Sequence, residues 1–305
     1  MTAPAVSVAM PVRNVAATVD LAIRSIAEQT FPDWELVVVD DGSTDATPEI
    51  LTRWSAADAR VRTHVDGASR GISARLNEAV RLARGELVAR MDGDDISFPQ
   101  RLEVQVGYLR AHPDVDLLGA GEMVFASTGE LRGFRTAPPD HPAITADVLG
   151  GIPVSHPTWV GRREWFLRNP YDPAATACED QELLLRAHAT STYANVPDVL
   201  LAYREDRIKL RRSLAARAAT AAYLLRHGRT GGRLAAGAAA AAGQLARGAR
   251  DAAAVLLHQE ERVMRGRVTP PRPGDEQTWQ VWRPVVLAGH PDGSGAPGPD
   301  AGPEP

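Results

Sequence analysis

The 305-residue sequence predicts an α/β protein organised on a mostly parallel sheet. Three observations point there. Over residues 6–120, short apolar runs alternate with segments of helical period. Leu36-Val-Val-Val39 is apolar at every position, as a strand buried on both faces of a parallel sheet requires. Clusters of Asp, Gly, Ser and Thr stand where such strands end, which is where open α/β sheets bind ligands.

Val6–Met10 reads as the first strand, and Val15–Gln29 as a helix with Val19, Ile23 and Ile26 on one face. Leu36–Val39 is the second strand. Thr44-Asp45 and Thr47-Pro48 then open a helix through Trp54, proline being suited to a first helical turn. Val61–Val65 is a third strand, and Ile72–Ala83 a third helix closed by Gly85 as its C-cap. Glu86–Met91 is a fourth strand. After Phe98-Pro99 a helix runs to Ala111, and Val115–Leu118 follows as a strand. Residues 121–170, rich in Pro and Gly, read as irregular with short strands. Asp180–Ala189 returns to helix, and Tyr193–Asn195 and Val199–Tyr203 read as two short strands. Residues 207–267 are Ala-rich and helical, broken at Gly228–Gly232. Residues 268–305 end in Pro and Gly and are expected to form a disordered tail.

The formal net charge is −4, from 34 Lys and Arg against 38 Asp and Glu, which excludes a wholly basic nucleic-acid binder. That total conceals a division. Residues 1–206 carry −11, residues 207–267 carry +10 (13 basic against 3 acidic), and the tail carries −3. In the basic segment Leu214, Ala218, Ala221 and Leu225 form a stripe beside Arg211, Arg212, Arg217 and Arg226. It suits a helix on an anionic membrane surface, or equally a cap packed on the acidic domain or a dimer contact. The single cysteine, Cys178, excludes an intramolecular disulfide and a multi-thiolate zinc site. The first residues lack a basic leader, and no run of roughly 18 strongly apolar residues occurs. The expected location is cytoplasmic, with peripheral contact at the inner face of the plasma membrane left open.

Three acidic clusters carry the chemistry. In Asp40-Asp41-Gly42-Ser43-Thr44-Asp45, turn and capping preferences explain residues 42–45 better than the two adjacent carboxylates. In Met91-Asp92-Gly93-Asp94-Asp95, three close carboxylates repel unless a cation or charge-assisted hydrogen bonds offset them. Mg²⁺ shares such oxygens with substrate phosphates, and the spacing does not fit an EF-hand. Cys178-Glu179-Asp180 precedes a helix, where an acidic residue often serves only as a cap.

Val8-Ala-Met-Pro-Val-Arg-Asn14, Ser25-Ile-Ala-Glu-Gln29, Trp34–Asp45, Gly71-Ile-Ser-Ala-Arg-Leu-Asn77, Ala89–Asp95 and Glu179-Asp180 occur in the order and spacing of family 2 glycosyltransferases. Residues 5–205 resemble that family. The resemblance implies a GT-A fold, a Rossmann-like, mostly parallel sheet flanked by helices, to which the helical extension is appended. It implies a nucleotide-sugar-binding half over 1–100 and an acceptor-binding half over 101–206. Pro11, Val12 and Arg13, after the first strand, then line the base pocket. Asp40 and Asp41 bind base and ribose, with Arg75 beside the nucleotide. Asp92 and Asp94 match the Asp-x-Asp motif that binds Mn²⁺ or Mg²⁺, with Asp94 the direct ligand. Asp95 faces donor sugar or acceptor, and Asp180, with Glu179 beside it, matches the catalytic base. The implied reaction is inverting transfer from a nucleoside-diphosphate sugar, a UDP-sugar favoured, to a saccharide or lipid-linked acceptor, with no nucleic-acid partner.

One departure stands out. Many members place a histidine after the equivalent of Tyr203-Arg204, where this chain has Glu205-Asp206-Arg207. Arg204, Arg207 or Lys209 then supplies the phosphate contact, or the site closes differently. His156 and Arg204 are candidates for the acceptor side, His156 being equally a structural histidine; Trp159 and Trp165 suit the core better than sugar stacking. Two other classes call for different residues. A sugar-nucleotidyltransferase calls for a Gly-rich phosphate loop where Pro11-Val-Arg-Asn14 stands, and a degenerate binding module calls for loss of a motif carboxylate.

Overall fold

The computed structural model describes residues 3–271, 279–280 and 283–284. Its first half runs β1 (Val6–Val12), α1 (Val19–Ala27), β2 (Trp34–Asp40), α2 (Thr47–Ala57), β3 (Val61–His64), α3 (Ile72–Leu82) and β4 (Leu87–Arg90). These strands pair in parallel in the order β3-β2-β1-β4, as the alternation predicts. Every residue of β1 and β2 is buried. On one face Val19, Ile23 and Ile26 of α1 pack with Val6, Val8, Leu36 and Val38. On the other, Leu76, Ala79 and Val80 of α3 pack with Ala9, Val37 and Val39.

Two local expectations change. Helix α1 starts at Val19 rather than Val15. Asn14 sits in the left-handed region (φ 52°), and Val15 and Ala16 donate their N–H groups to Thr47 Oγ1 and Asp45 Oδ2. Those residues form a loop clamped to the second strand's end, not a helical turn. Gly85 is not the C-cap, which is Ala83. A Cβ at Gly85 would lie 2.7 Å from the Ser7 nitrogen, so close approach to β1 explains that glycine.

The second half contains β5 (Ile96–Ser97), α4 (Arg101–Ala111), β6 (Leu117–Phe125), β7 (Leu131–Arg135), α5 (His141–Ile144), β8 (Val160–Arg162), α6 (Arg163–Arg168), α7 (Glu179–Ala187) and β9 (Tyr193–Arg204). The sheet continues from β4 through antiparallel β8 to β6, β9 and β5, with β7 on the free edge of β6. Strand β6 carries order well beyond Leu118, buried at all nine positions. The two expected short strands are one, β9, parallel to β6. Its register slips opposite Gly119–Glu122, where Pro197 and Asp198 are exposed. Trp159 and Trp165 are fully buried core residues.

Helices α8 (Leu210–Thr230) and α9 (Leu234–Leu256) form an antiparallel hairpin, followed by α10 (Glu260–Arg265). The break falls at Gly231-Gly232, with Gly232 at φ 68°. Gly228 stays helical, and a Cβ there would lie 2.8 Å from the Gly237 Cα across the hairpin, so close helix approach explains that glycine. Tyr223 donates its hydroxyl to Asp172 (3.1 Å), and Leu224 packs with Leu149 and Leu185, seating α8 on the α/β domain. Thr269 and Phe134 exchange backbone hydrogen bonds, and Trp279 packs on Phe125. Thr269 and Trp279 of the expected tail therefore lie against the domain, and most of the tail lies outside the described residues. Among the described residues no helix is long and apolar enough to cross a membrane.

Candidate active site

The carboxyl ends of β2, β1 and β4 lie side by side, since Val12 pairs with Asp40 and Ala9 with Arg90. Pro11 and Val12 belong to β1 itself, paired with β2, so only Arg13 of that trio is in the loop. Asp41 is fixed from several sides. Its Oδ1 accepts from the Arg70 and Gly71 N–H groups (2.5 and 3.0 Å) and from Arg75 Nε (3.2 Å). Arg75 is fully buried and also bound to Glu78 (2.8 Å) and Asp66 (2.6 Å), contacts that hold its guanidinium charged. It therefore positions the Asp41 loop, its donors being taken by the protein. Arg13 reaches Ser69 Oγ (2.8 Å) and stands 3.8 Å from Asp41. Asp40 accepts from Ser43 N–H through Oδ2, while its buried Oδ1 meets no protein donor.

Asp92, Asp94 and Asp95 bring carboxylate oxygens within 4.8 Å of one another. Gly93 lets this loop close on β1, since a Cβ there would lie 2.8 Å from Val12 Cγ1. Asp95 is buried; Oδ1 accepts from the Arg204 N–H (3.0 Å) and Oδ2 meets no protein donor. Burial, then the neighbouring Asp94 and Asp92 charges, push the Asp95 carboxyl well above the usual range. Asp94 is raised for the same kinds of reason, with Arg204, Arg90 and Lys209 pulling it back. An oxygen-only set of three close carboxylates, only partly offset by Arg90 and Arg204 and with an unpaired buried oxygen on Asp95, fits a hard divalent cation.

Arg204 donates to the Asp94 carbonyl (2.9 Å) and lies over Phe125. It braces the acidic loop, and Tyr203 rather than Arg204 lines the adjoining cavity.

That cavity, of about 470 Å³, is walled by Arg90, Asp92, Glu122, His156, Glu179, Asp180 and, from α8, Arg212. Asp180 stands in the first turn of α7, after a bend at Ala177 in the left-handed region (φ 64°). Burial raises its proton affinity, against the Gln181 N–H bond and the positive charge of Arg90. Glu179 is raised too, by burial and the Asp180 charge. His156 is both structural and cavity-lining. Its Nε2 pairs with the Tyr171 hydroxyl (2.9 Å) and its ring meets Trp159 edge-on, while burial and Arg90 keep it neutral.

Sequence reasoning missed Arg90. This buried arginine sits 2.6 Å from Asp92, with Nε and Nη1 facing no protein acceptor. The signal was present: a charge inside the apolar strand Leu87-Val-Ala needs a partner, and Asp92 lies two residues on. Glu122, Arg135 and Tyr203 were missed because β6, β7 and β9 had not been joined into one wall.

The sequence profile of glycosyl transferase family 2 matches residues 7–168. EpsE of Bacillus subtilis (strain 168) is 38% identical over 157 residues, 51% of this chain and 55% of its own length, so the chain spans about half of that relative. S. aureus TarS 1-349, crystallised with UDP, superposes with TM-score 0.57 at 20% identity, over 72% of this chain and 65% of that one. PcManGT from Pyrobaculum calidifontis, in complex with GDP-Man and Mn²⁺, gives TM-score 0.55 at 22% identity, over 95% and 86%. These two likenesses are of fold, and they match the curled, helix-flanked α/β sheet expected of a GT-A protein. With the profile covering more than half of its length, the chain belongs to glycosyl transferase family 2.

Proposed function

We propose that the protein is an inverting glycosyltransferase, moving a sugar from a nucleoside-diphosphate donor to a hydroxyl of a saccharide or lipid-linked acceptor. The observation that carries this reading is that Asp180 and Asp92 wall one cavity, with Arg90 beside both. The donor's base and ribose lie along Asp40, Asp41 and Arg13, at the ends of β1 and β2. Asp94 and Asp92 hold a divalent cation, Mn²⁺ or Mg²⁺, whose chemistry is to stabilise charge on the departing diphosphate. Lys209, whose charge reaches Asp94, takes the phosphate-side place of the histidine absent after Arg204, which itself braces the acidic loop.

Asp180 acts as general base. Its carboxylate accepts the acceptor hydroxyl's proton as the oxygen bonds to the anomeric carbon and the bond to the diphosphate breaks. A single displacement inverts the anomeric centre. The raised proton affinity of Asp180 suits it to that transfer. The acceptor occupies the remaining wall, between Glu122, His156 and Arg212. A UDP-sugar is the favoured donor, in line with the UDP bound by the structurally similar TarS.

Nucleotide release measured across UDP-, GDP- and dTDP-sugars, with Mn²⁺ or Mg²⁺ and saccharide acceptors, tests the proposal. Release from one donor class, dependent on acceptor, supports it. Binding of nucleotide sugars without turnover across the panel favours a binding module instead.

A further inference from the structure

The hairpin presents two unlike faces. Tyr223 and Leu224 of α8 and Ala240 of α9 meet the α/β domain. Between the helices, Gly228 faces Gly237 at backbone contact, and Asp251 is buried with Ser213, Arg217 and Arg267. Helical periodicity then fixes what points away. Leu225 on α8, and Leu234, Leu245 and Leu256 on α9, run along one outer side of the antiparallel pair, with Leu214 at the seam beside Gly248. Each is exposed, from 39% at Leu214 to 75% at Leu256. Of the eight large apolar side chains exposed among the described residues, these five and Leu257 belong to the hairpin.

The arc of α9 holding Leu234, Ala238, Ala242, Leu245, Ala249 and Leu256 contains no charge. Exposed Arg211 and Arg229 flank the leucines of α8. The stripe read from sequence is thus split: Ala221 is buried, while Leu214, Ala218 and Leu225 are exposed.

We propose that this outer face docks on an anionic lipid surface, lying in the interface with its leucines inserted and its arginines at the headgroups. Charge decides the occupant. The hairpin segment carries +10, so a second copy's hairpin laid against this face would bring like charges together, whereas anionic lipid complements them. Neither helix is apolar enough to span the bilayer, which leaves it the interfacial position. The opposite side of α8 puts Arg212 on the cavity wall, so the docked hairpin lies between that cavity and the lipid. The proposal rests on the hairpin alone and stands apart from the catalytic reading.

The test is flotation of the full chain with vesicles of phosphatidylcholine plus phosphatidylglycerol, and with phosphatidylcholine alone. Paired changes Leu245→Asp and Leu256→Asp, both at exposed positions, leave the thermal transition unchanged. Flotation with anionic vesicles that weakens about tenfold in the paired variant, and weakens with salt, supports the proposal. Absence of flotation, equal flotation of both proteins, or a dimer in solution that the paired variant dissociates overturns it.

Discussion

Arg90 Nη2 lies 2.6 Å from Asp92 Oδ1 at the cavity wall, joining the acidic loop to the side of the cavity that holds Asp180. The pair makes Arg90 the buried cation around which four carboxyls are arranged: Asp94, Asp95, Glu179 and Asp180 all sense its charge.

Arg90→Met removes that charge and leaves Asp92 without its partner. The expected loss of stability is about 2 kcal/mol, below the usual range for a buried pair because Asp92 is partly exposed. The double change with Asp92→Asn recovers part of it, which urea melts of the four proteins measure. A fall in kcat of about 10²-fold is expected in the single variant.

The pH profile gives a sign. The base must be deprotonated to act, and burial lifts Asp180, so the acid limb of kcat/KM falls above the pH of an ordinary aspartate. Arg90 opposes that lift. Arg90→Met therefore moves the limb to higher pH, and an unmoved limb would separate Arg90 from the base.

Cation binding is measurable without turnover. A ligand at about 100 times its Kd stabilises the native state by about 2.7 kcal/mol. Mn²⁺ is expected to raise the Tm of the native protein and not that of Asp94→Asn. An equal rise in both would remove Asp94 from the site.

Gly237→Ala tests the hairpin. Alanine is better than glycine inside a helix by about 1 kcal/mol. Here its Cβ would lie 2.8 Å from the Leu224 carbonyl oxygen and 3.0 Å from the Gly228 Cα, both backbone atoms of α8. The clash outweighs the propensity, so a net loss of about 1 kcal/mol and faster hydrogen exchange in α8 and α9 are expected.

The parallel half was legible because each strand is a short apolar run and each strand end announces itself with Asp and Gly. Asp41 and Asp94 could be found that way. The second half was not, since β6 pairs with β9 across roughly 75 residues of chain, and its Gly119 and Gly121 look like loop residues until that pairing is known. Arg90 was hidden by its own motif, where the neighbouring aspartates drew the chemistry. The hairpin's helical content was legible from its alanines, but which leucines face out depended on Gly228 meeting Gly237.

Asp180→Asn tests the central claim most directly, with transfer and nucleotide binding measured on the same protein. The account predicts transfer lowered by about 10³-fold or more, with donor-nucleotide affinity within a few-fold of the native protein's. Transfer at the native rate in Asp180→Asn would contradict it.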